Sequence, residues 1–501
     1  MINFAPFYYR PATCYLGLAI ALVEEMGASS IESYRERIVA GPILSSMVRL
    51  GLPLMLTDII FLVYNLTDAF WLSKFSSYAL AVPRQNWPVF LTFFSILFGV
   101  SSGGLAMLSQ YVGAKMYDKA SESFSKFLTL CLSTSLALFL VYSLTKDFVF
   151  TCLVRVPPEI LEDTLGYAEI MSFDLLAFGF AIAVNTLMHS LGDTKTPAIA
   201  MAMGMALNAV LDPLFILGYG PIPAMGARGA ALATVLTRFL SAVMVLYFLF
   251  TRYRYIKVRL TKSLDSPWLK TVLGVGLPVS VMTLSDGFAF TFHLSLVNMF
   301  GAIVTTAFTI GFMILDIANS AFRGFTMSIS VMVGQNLGAG NKERARKIAL
   351  TASHILVLFV SCGAVVILLT RGHIISAFTS DYLTTLEADR LISIIAWILP
   401  SVMLSFLGMS VGRGSGHTIF PTMVNVIRFW AVRIGLGYVL AFALGMGVLG
   451  LWIALALSDV FGGLASYVWI RWGGWVRPII KERPIVEVTL KTSSEGFRSS
   501  S

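Results

Sequence analysis

Charged residues, cysteine and histidine are all scarce in this chain of 501 residues. Asp, Glu, Lys and Arg make up 13% of the sequence, which is too little to cover the surface of a soluble protein of this length. The four cysteines are scattered without CxxC spacing, and there are five histidines. The composition therefore argues against a soluble enzyme, and it favours neither a disulfide framework nor a zinc site.

Apolar residues are abundant, at 57% of the chain with a mean hydropathy of +0.80. They form continuous runs of about 20 to 30 residues without alternation of apolar and polar residues. This pattern is typical of membrane-spanning helices and not of barrel strands. We predict an all-α membrane protein. Its twelve transmembrane helices are expected at 42–72, 86–112, 124–145, 164–190, 196–218, 226–250, 268–299, 302–334, 344–370, 385–412, 419–443 and 447–472.

Most basic residues outside these helices fall in loops on one side, including KMYDKASESFSK, TRYRYIKVRLTK and NKERARK. The positive-inside rule places those loops and both termini in the cytoplasm of a multi-pass cell-membrane protein. This sidedness explains the net charge of +9 without nucleic acid. TCYLGLAIALV near the start is too short to span a bilayer, and the tail after residue 473, which is basic and then Ser-rich, is expected to be disordered. The predicted domains are tail 1–41, first half 42–250, linker 251–267, second half 268–472 and tail 473–501.

An internal repeat links the two halves. LGLPLMLTDIIF around Pro53 matches VGLPVSVMTLSD around Pro278, and SQYVGAKMYDKA from Ser109 matches GQNLGAGNKERA from Gly334, both at an offset of 225 residues. SLGDTKTP matches GSGHTIFP at an offset of 224, and GARGAALA matches GVLGLWIA. Since each half has an even number of helices, we expect two six-helix bundles related by a pseudo-two-fold axis along the membrane normal.

One carboxylate lies inside an apolar helix, in MGMALNAVLDPLFILG. Placing Asp212 near the centre of a membrane helix costs about 2.5–3.5 kcal/mol, so it should face a cavity with a partner or an ion. Asn208 is one turn away on the same face, and Pro213 removes a backbone donor beside the acid. These groups predict a small oxygen-rich site. The alternative is a structural polar cluster between helices.

At these repeats and at this run, the sequence resembles the MATE family, the multidrug and toxic compound extrusion transporters, and most closely its archaeal, DinF-like branch. The resemblance covers about residues 42 to 472. It implies a two-lobed, V-shaped exporter driven by entry of H⁺ or Na⁺, with a cation site in the first half. Its cation-site positions match Asp68, Asn208, Asp212 and Thr234, which would also be the ligands of a Na⁺ ion. The family's helix-bending proline matches Pro53, and its polar positions on the fourth helix match Tyr167 and Asn185.

The residues themselves support part of this assignment. Asp68 and Asp212 both lie toward the outer ends of their helices, so they can meet, and two carboxyls in a dry site would share a proton or neutralise a cation. The alternative for Asp68 is an interfacial acid near water. Tyr167 and Asn185 are about 27 Å apart along one helix, so both cannot line one small ion site.

Further intramembrane polar residues have open roles. Asp58 is about 80° around its helix from Asp68, and either bonds a neighbouring helix or faces the cavity. Asp286 resembles the helix-seven acid of the NorM-type branch, but predicted helix ten holds no second acid. His293 occupies the repeat position of Asp68 and is either a titrating group or a histidine of the core. Four arginines assigned no role, Arg238, Arg323, Arg428 and Arg433, are expected to snorkel near helix ends.

We therefore predict a monomeric secondary antiporter, not an enzyme, that exports amphipathic and mainly cationic organic compounds in exchange for H⁺ or Na⁺. It would need the lipid bilayer but no cofactor. A lipid-linked oligosaccharide flippase is the alternative, although a flippase needs a cationic cavity and the mid-membrane charges here are mainly acidic. An intramembrane aspartyl protease is disfavoured because LGDTKTP falls in a cytoplasmic loop.

Overall fold

The computed structural model describes residues 31–76, 78–79, 81–253, 258–261, 263–376 and 378–480. These residues fold into thirteen α-helices. The helices are α1 Ile31–Val39, α2 Ile43–Phe75, α3 Ala81–Gly113, α4 Tyr117–Phe148, α5 Pro158–Leu191, α6 Lys195–Ile216, α7 Ala227–Arg252, α8 Ser266–Asn298, α9 Ala302–Gly338, α10 Lys342–Ser376, α11 Tyr382–Ser415, α12 Ile419–Ile427 and α13 Val448–Trp472.

Twelve of these elements, α2 to α13, are spans that cross a bilayer by length and composition. Eleven are simple spans, and α9 is a twelfth whose segments Ala302–Ile317 and Phe322–Gly338 meet at 40°. The span that begins with α12 continues as π-helix over Arg428–Leu436 and Val439–Ala443. The prediction of an all-α protein with twelve transmembrane helices is confirmed.

The two halves, α2 to α7 and α8 to α13, repeat each other in backbone detail. Gly192 ends α5 with φ of 90°, and Gly416 ends α11 with φ of 82°. Gly226 precedes α7 with φ of 55°, and Gly447 precedes α13 with φ of 61°. Glycine adopts these positive φ values without the steric cost that other residues meet, so the same turns recur in both halves.

The halves approach each other most closely on the side that carries α1, the linker and the end of α13, which we call the tail side. A Cβ atom on Gly103 of α3 would overlap the backbone of Val272 in α8. A Cβ on Gly113 would overlap Gln335 of α9. Small residues allow this backbone-to-backbone packing between membrane helices. The described structure is thus closed between its halves on the tail side.

The helix α1 joins both halves on that side. Ile31 packs in a cluster made mostly of first-half residues, and Ile38 packs in a cluster that joins Met47 and Leu50 of α2 to residues of α9 and α10. The Arg35 Nε donates to the Gly113 carbonyl at 2.9 Å, and the Asn336 amide donates to the Ile38 carbonyl at 3.2 Å. The predicted N-terminal tail therefore contains a docked helix, while TCYLGLAIALV lies outside the described residues.

The segment after α13 also crosses between the halves. Trp475 is 1% exposed in the second-half core, whereas Ile480 is buried in the first-half core. The backbone N–H of Ile479 donates to the Gln110 side chain of α3 at 2.7 Å. Residues 473–480 are thus packed, contrary to the expected disorder, and the rest of that tail lies outside the described residues.

Candidate functional site

Helix α6 buries one stripe of small and polar residues. Ala200, Gly204, Asn208, Asp212 and Ile216 are all buried, and they are spaced by four residues, so they lie on one face. Asp212 is 0% exposed and Asn208 is 1% exposed. The sequence prediction that these two side chains share a face inside the protein agrees with this geometry.

Asn208 connects the two acids. With its amide nitrogen toward the acids, as the neighbouring donors and acceptors require, Asn208 donates to Asp68 Oδ1 at 3.2 Å and to Asp212 Oδ2 at 3.0 Å. Its oxygen accepts from the backbone N–H of Thr234 at 3.3 Å. The structure therefore brings Asp68, Asn208, Asp212 and Thr234, from α2, α6 and α7, into one group, which we call the acid cluster.

The acid cluster is completed by further polar contacts, and one of its buried oxygen atoms has no donor in the described part of the chain. The carboxyl groups of Asp68 and Asp212 lie within hydrogen-bonding reach of each other. The Tyr64 hydroxyl, one turn before Asp68, lies 2.7 Å from the Thr234 hydroxyl. Asp212 Oδ1 is buried without a hydrogen-bond partner among the described residues. A buried carboxylate oxygen without a donor is costly, so this atom is where a proton or a cation would be most stabilising.

Tyr167 and Asn185, the two residues of α5 that match the family, lie at different levels along the helix, as expected. Tyr167 lies within electrostatic reach of Asp68 and Asp212. Asn185 is about 27 Å further along the same helix, and its buried side-chain oxygen has no partner among the described residues. Tyr167 therefore borders the acid cluster, and Asn185 does not.

Pro53 lies in the part of α2 that faces the second half. The neighbouring residues Gly51 and Leu54 pack against Phe325 and Gly324 of α9. The Thr57 hydroxyl donates to the Pro53 carbonyl at 2.8 Å. Because proline has no N–H, the carbonyl of Arg49 lacks its usual helical partner, which makes α2 easier to bend here.

An ion pair that sequence reasoning missed lies beside the acid cluster. Arg238 of α7 pairs with Asp174 of α5, whose side chain is 0% exposed. Asp174 had no signal beyond being an acid in an apolar run, and Arg238 was expected to snorkel. That expectation is wrong, since Arg238 lies near the middle of Ala227–Arg252 and is paired inside the protein.

The second half holds a different polar network. Arg428 and Arg433, on the π-helical continuation of α12, each lie 2.6 Å from a carboxylate oxygen of Asp459 in α13. Arg428 also donates to Asn425, which in turn donates to Asp286 of α8. These arginines are buried and paired, so the snorkelling expectation is wrong for them too. Asp286 thus has polar partners instead of the companion acid that helix ten lacks.

His293 packs beside an aromatic ring, whereas Asp58 faces the other half of the protein. His293 is 1% exposed, its ring lies 5.5 Å from that of Phe308, and neither ring nitrogen has a partner among the described residues. The Asp58 carboxyl faces Arg323 and the backbone of Gly324 in α9 of the other half. Asp58 is therefore directed away from the acid cluster, toward a neighbouring helix.

Comparisons with known proteins agree with this architecture. The MatE family model matches twice, at residues 53–214 and 278–439, which together cover more than half of the chain at the repeat offset of 225. The probable multidrug resistance protein NorM of Thermotoga maritima is 24% identical over 92% of this chain and 99% of its own. The FAD transporter of Shewanella oneidensis is 24% identical over 86% of this chain and 95% of its own.

Solved structures share the fold. A crystal structure of MATE in the bent conformation superposes with a TM-score of 0.80 at 23% identity, covering 87% of this chain and 96% of that one. The outward-facing conformation of a multidrug resistance MATE family transporter gives a TM-score of 0.79 with the same coverage and identity. The twelve spans, the two-fold repeat and the double family match lead to one conclusion: the chain is a multi-pass membrane protein that belongs to the MATE family of transporters.

Proposed function

We propose that this protein exports amphipathic organic compounds across the membrane in exchange for inward H⁺ or Na⁺. The observation that carries the proposal is the acid cluster, in which two carboxyls from different helices meet at a buried amide. An isolated carboxylate inside the membrane is expensive, and two in contact can bind and release a cation at low cost. Relatives named as multidrug resistance proteins favour efflux over the flippase alternative.

The geometry suits a shared proton better than a sodium ion. Two carboxyls in contact in a dry site hold one proton between them, and the Asn208 N–H stabilises the remaining negative charge. Sodium would instead use the oxygens of Asp68, Asp212, Thr234 and Asn208, since hard cations prefer oxygen ligands. With the amide oriented as its neighbouring donors and acceptors require, the Asn208 oxygen faces a backbone N–H, and the amide would have to rotate to present that oxygen to sodium.

Alternating access supplies the transport step. The halves are closed on the tail side, which the basic loops assign to the cytoplasm together with both termini. We infer that the described conformation opens on the opposite, outer side. Protonation of the acid cluster would change the contacts of α2, and Pro53 gives α2 a place to bend beside the second half. The protein acts in the lipid bilayer on small molecules, as a monomer, and needs no cofactor.

Purified protein in liposomes tests this function. Export of the fluorescent cation ethidium is measured while a proton gradient or a sodium gradient is imposed separately. We expect the proton gradient to drive ethidium against its concentration, with the effect lost when an ionophore collapses the gradient. Movement driven by sodium alone would assign sodium as the coupling ion. If neither gradient drives ethidium, the antiport proposal fails.

A further inference from the structure

The ion pair between Arg238 and Asp174 leaves one edge of the guanidinium accessible. Asp174 is 0% exposed, but the Arg238 side chain is 25% exposed. Arg238 is near the middle of a membrane span, where exposing a charge to lipid is strongly unfavourable. Its accessible edge is therefore expected to face a space between helices of the first half and not lipid.

Aromatic rings frame this guanidinium. Its carbon lies 5.9 Å from the ring centroid of Phe94 and 5.4 Å from that of Phe178. The two rings are themselves 4.5 Å apart. Among the described residues the guanidinium has one hydrogen-bond partner, Asp174, and a guanidinium carries five N–H donors. Arg238 thus offers spare donors beside two aromatic faces.

The accessible guanidinium and the acid cluster lie close together. Arg238 follows Thr234 by four residues, so both side chains lie on one face of α7, about 6 Å apart along the axis. Arg238 is also within electrostatic reach of Tyr64 and Tyr167. The first half therefore combines a negative group, a positive group and aromatic surface within one small region.

We propose that Arg238 binds the carboxylate of amphipathic aromatic substrates, while the amine end of the same molecules lies toward the acid cluster. A guanidinium recognises a carboxylate through two parallel N–H bonds, and its outer edge is available for this. Arg238 is then a specificity-determining residue, which favours substrates that carry a carboxylate beside an aromatic ring system. The proposal rests on the proposed export function and adds to it the residue that recognises the carboxylate end.

Rhodamine B and its methyl ester form a matched pair of probes, since the ester removes only the carboxylate. Binding of each dye to purified protein is measured by fluorescence anisotropy. In Arg238→Met we expect the affinity for rhodamine B to fall by about 10- to 100-fold, as for the loss of a charged hydrogen-bonded pair, with the ester unaffected. In Asp174→Asn, which frees the guanidinium, we expect rhodamine B to bind more tightly than in the wild type.

The double variant Arg238→Met with Asp174→Leu controls for a buried unpaired acid, because it removes both charges together. It should lose rhodamine B and keep the ester. If the wild type binds both dyes and the variants keep the wild-type ratio of affinities, the carboxylate subsite is overturned while the export function stands. If the wild type binds neither dye, both proposals fail.

A separate observation concerns the tail side, where both ends of the described chain cross between the halves. In α1, the Arg35 side chain donates to Gly113 of the first half, whereas the carbonyl of the buried Ile38 accepts from Asn336 of the second half. After α13, Trp475 is anchored in the second half and Ile480 in the first. We call α1 and residues 473–480 the two staples. Any opening on the tail side must therefore break the contacts of each staple with one of the halves.

We infer that the two staples hold the tail side closed and must detach from one half before the protein can open to that side. Each staple combines buried apolar anchors with cross-half hydrogen bonds, such as those of Asn336 to Ile38 and of Ile479 to Gln110. Detachment exposes the anchors to water, so the staples stabilise the closed state. This inference rests on the alternating access in the proposed function.

Cysteine accessibility tests the staples without measuring transport. With the native cysteines replaced, Ser109→Cys places a thiol in α3 against Gly334 of α9, where the serine is fully buried. We expect Ile38→Asn to raise the rate of maleimide labelling at this thiol by about tenfold or more, because removing a buried anchor favours the open state. Asn336→Ala should raise it in the same direction.

The exposed residue Glu36 of α1 provides the matched control, and Glu36→Ala should label like the unmodified staple. Thermal unfolding of each variant confirms that the helices outside the staples remain folded. Labelling rates in Ile38→Asn and Asn336→Ala equal to that of Glu36→Ala would overturn the inference, even if the protein transports as proposed.

Discussion

We expect Asp68→Asn and Asp212→Asn each to abolish ion-driven export while the protein still folds. Asparagine keeps the size and most hydrogen bonds of the aspartate, so the packing around Asn208 survives, but the cluster can no longer take up and release a proton. In the wild type, protonation removes negative charge near the substrate, so affinity for an organic cation should fall as the pH falls. A coupling of about 1–3 kcal/mol is typical, which is a change of roughly 5- to 150-fold in affinity.

Binding of ethidium to purified protein, titrated with acid, measures this coupling. In Asp212→Asn we expect the pH dependence to disappear, since linkage requires the ion and the substrate to affect each other equally. Asp58→Asn is the control, because Asp58 faces α9 of the other half and not the acid cluster. Full pH dependence in Asp212→Asn, or equal loss in Asp58→Asn, would place the coupling site elsewhere.

We expect Asp459→Ala to destabilise the second half more than any single change on the surface. Asp459 is the shared partner of Arg428 and Arg433, each 6% exposed, so its removal leaves two buried guanidiniums unpaired. Breaking a buried ion pair from one side costs about 3–5 kcal/mol, because the remaining charge stays desolvated. We expect a marked fall in the thermal unfolding temperature of the detergent-solubilised protein.

Two comparison variants isolate the cause. Removing all three charges with Asp459→Leu, Arg428→Met and Arg433→Met should recover most of the lost stability, because neither guanidinium is left unpaired and Asp286 keeps its hydrogen bond from Asn425. Asp389→Asn breaks a half-exposed pair with Arg371 and should change stability by no more than about 1 kcal/mol. An unfolding temperature for Asp459→Ala equal to that of Asp389→Asn would show that the network is not structural.

The two halves have become chemically different within one repeated fold. In the aligned stretches GARGAALA and GVLGLWIA, Gly226 matches Gly447, and the same alignment places Arg238 at the position of Asp459. In the first half this position supplies a guanidinium to a buried acid, and in the second half an acid to two buried guanidiniums. His293 likewise replaces Asp68 at the repeat offset of 225. We expect ion coupling in the first half for this reason.

Much of this protein could be predicted from local sequence. Long apolar runs require helices because a bilayer leaves backbone groups no other partner, so the spans and the all-α fold follow from composition. The repeat predicts two equivalent bundles. The pairing of Asn208 with Asp212 follows from their spacing of four residues on one helix. Each of these features depends on neighbours in the chain.

Other features depend on how whole helices pack, which a single sequence leaves undetermined. Asp68 reaches Asp212 only because α2 and α6 are rotated to face each other, and Arg238 finds Asp174 from a position 64 residues away. Uniformly apolar spans give little periodic signal for that rotation, since lipid and protein interior are equally apolar. For the same reason the docking of α1 could not be predicted, since the surfaces that bind it form only when both halves have folded. Helix formation was therefore determined by the sequence itself, while the pairing of the buried charges was decided by the tertiary structure.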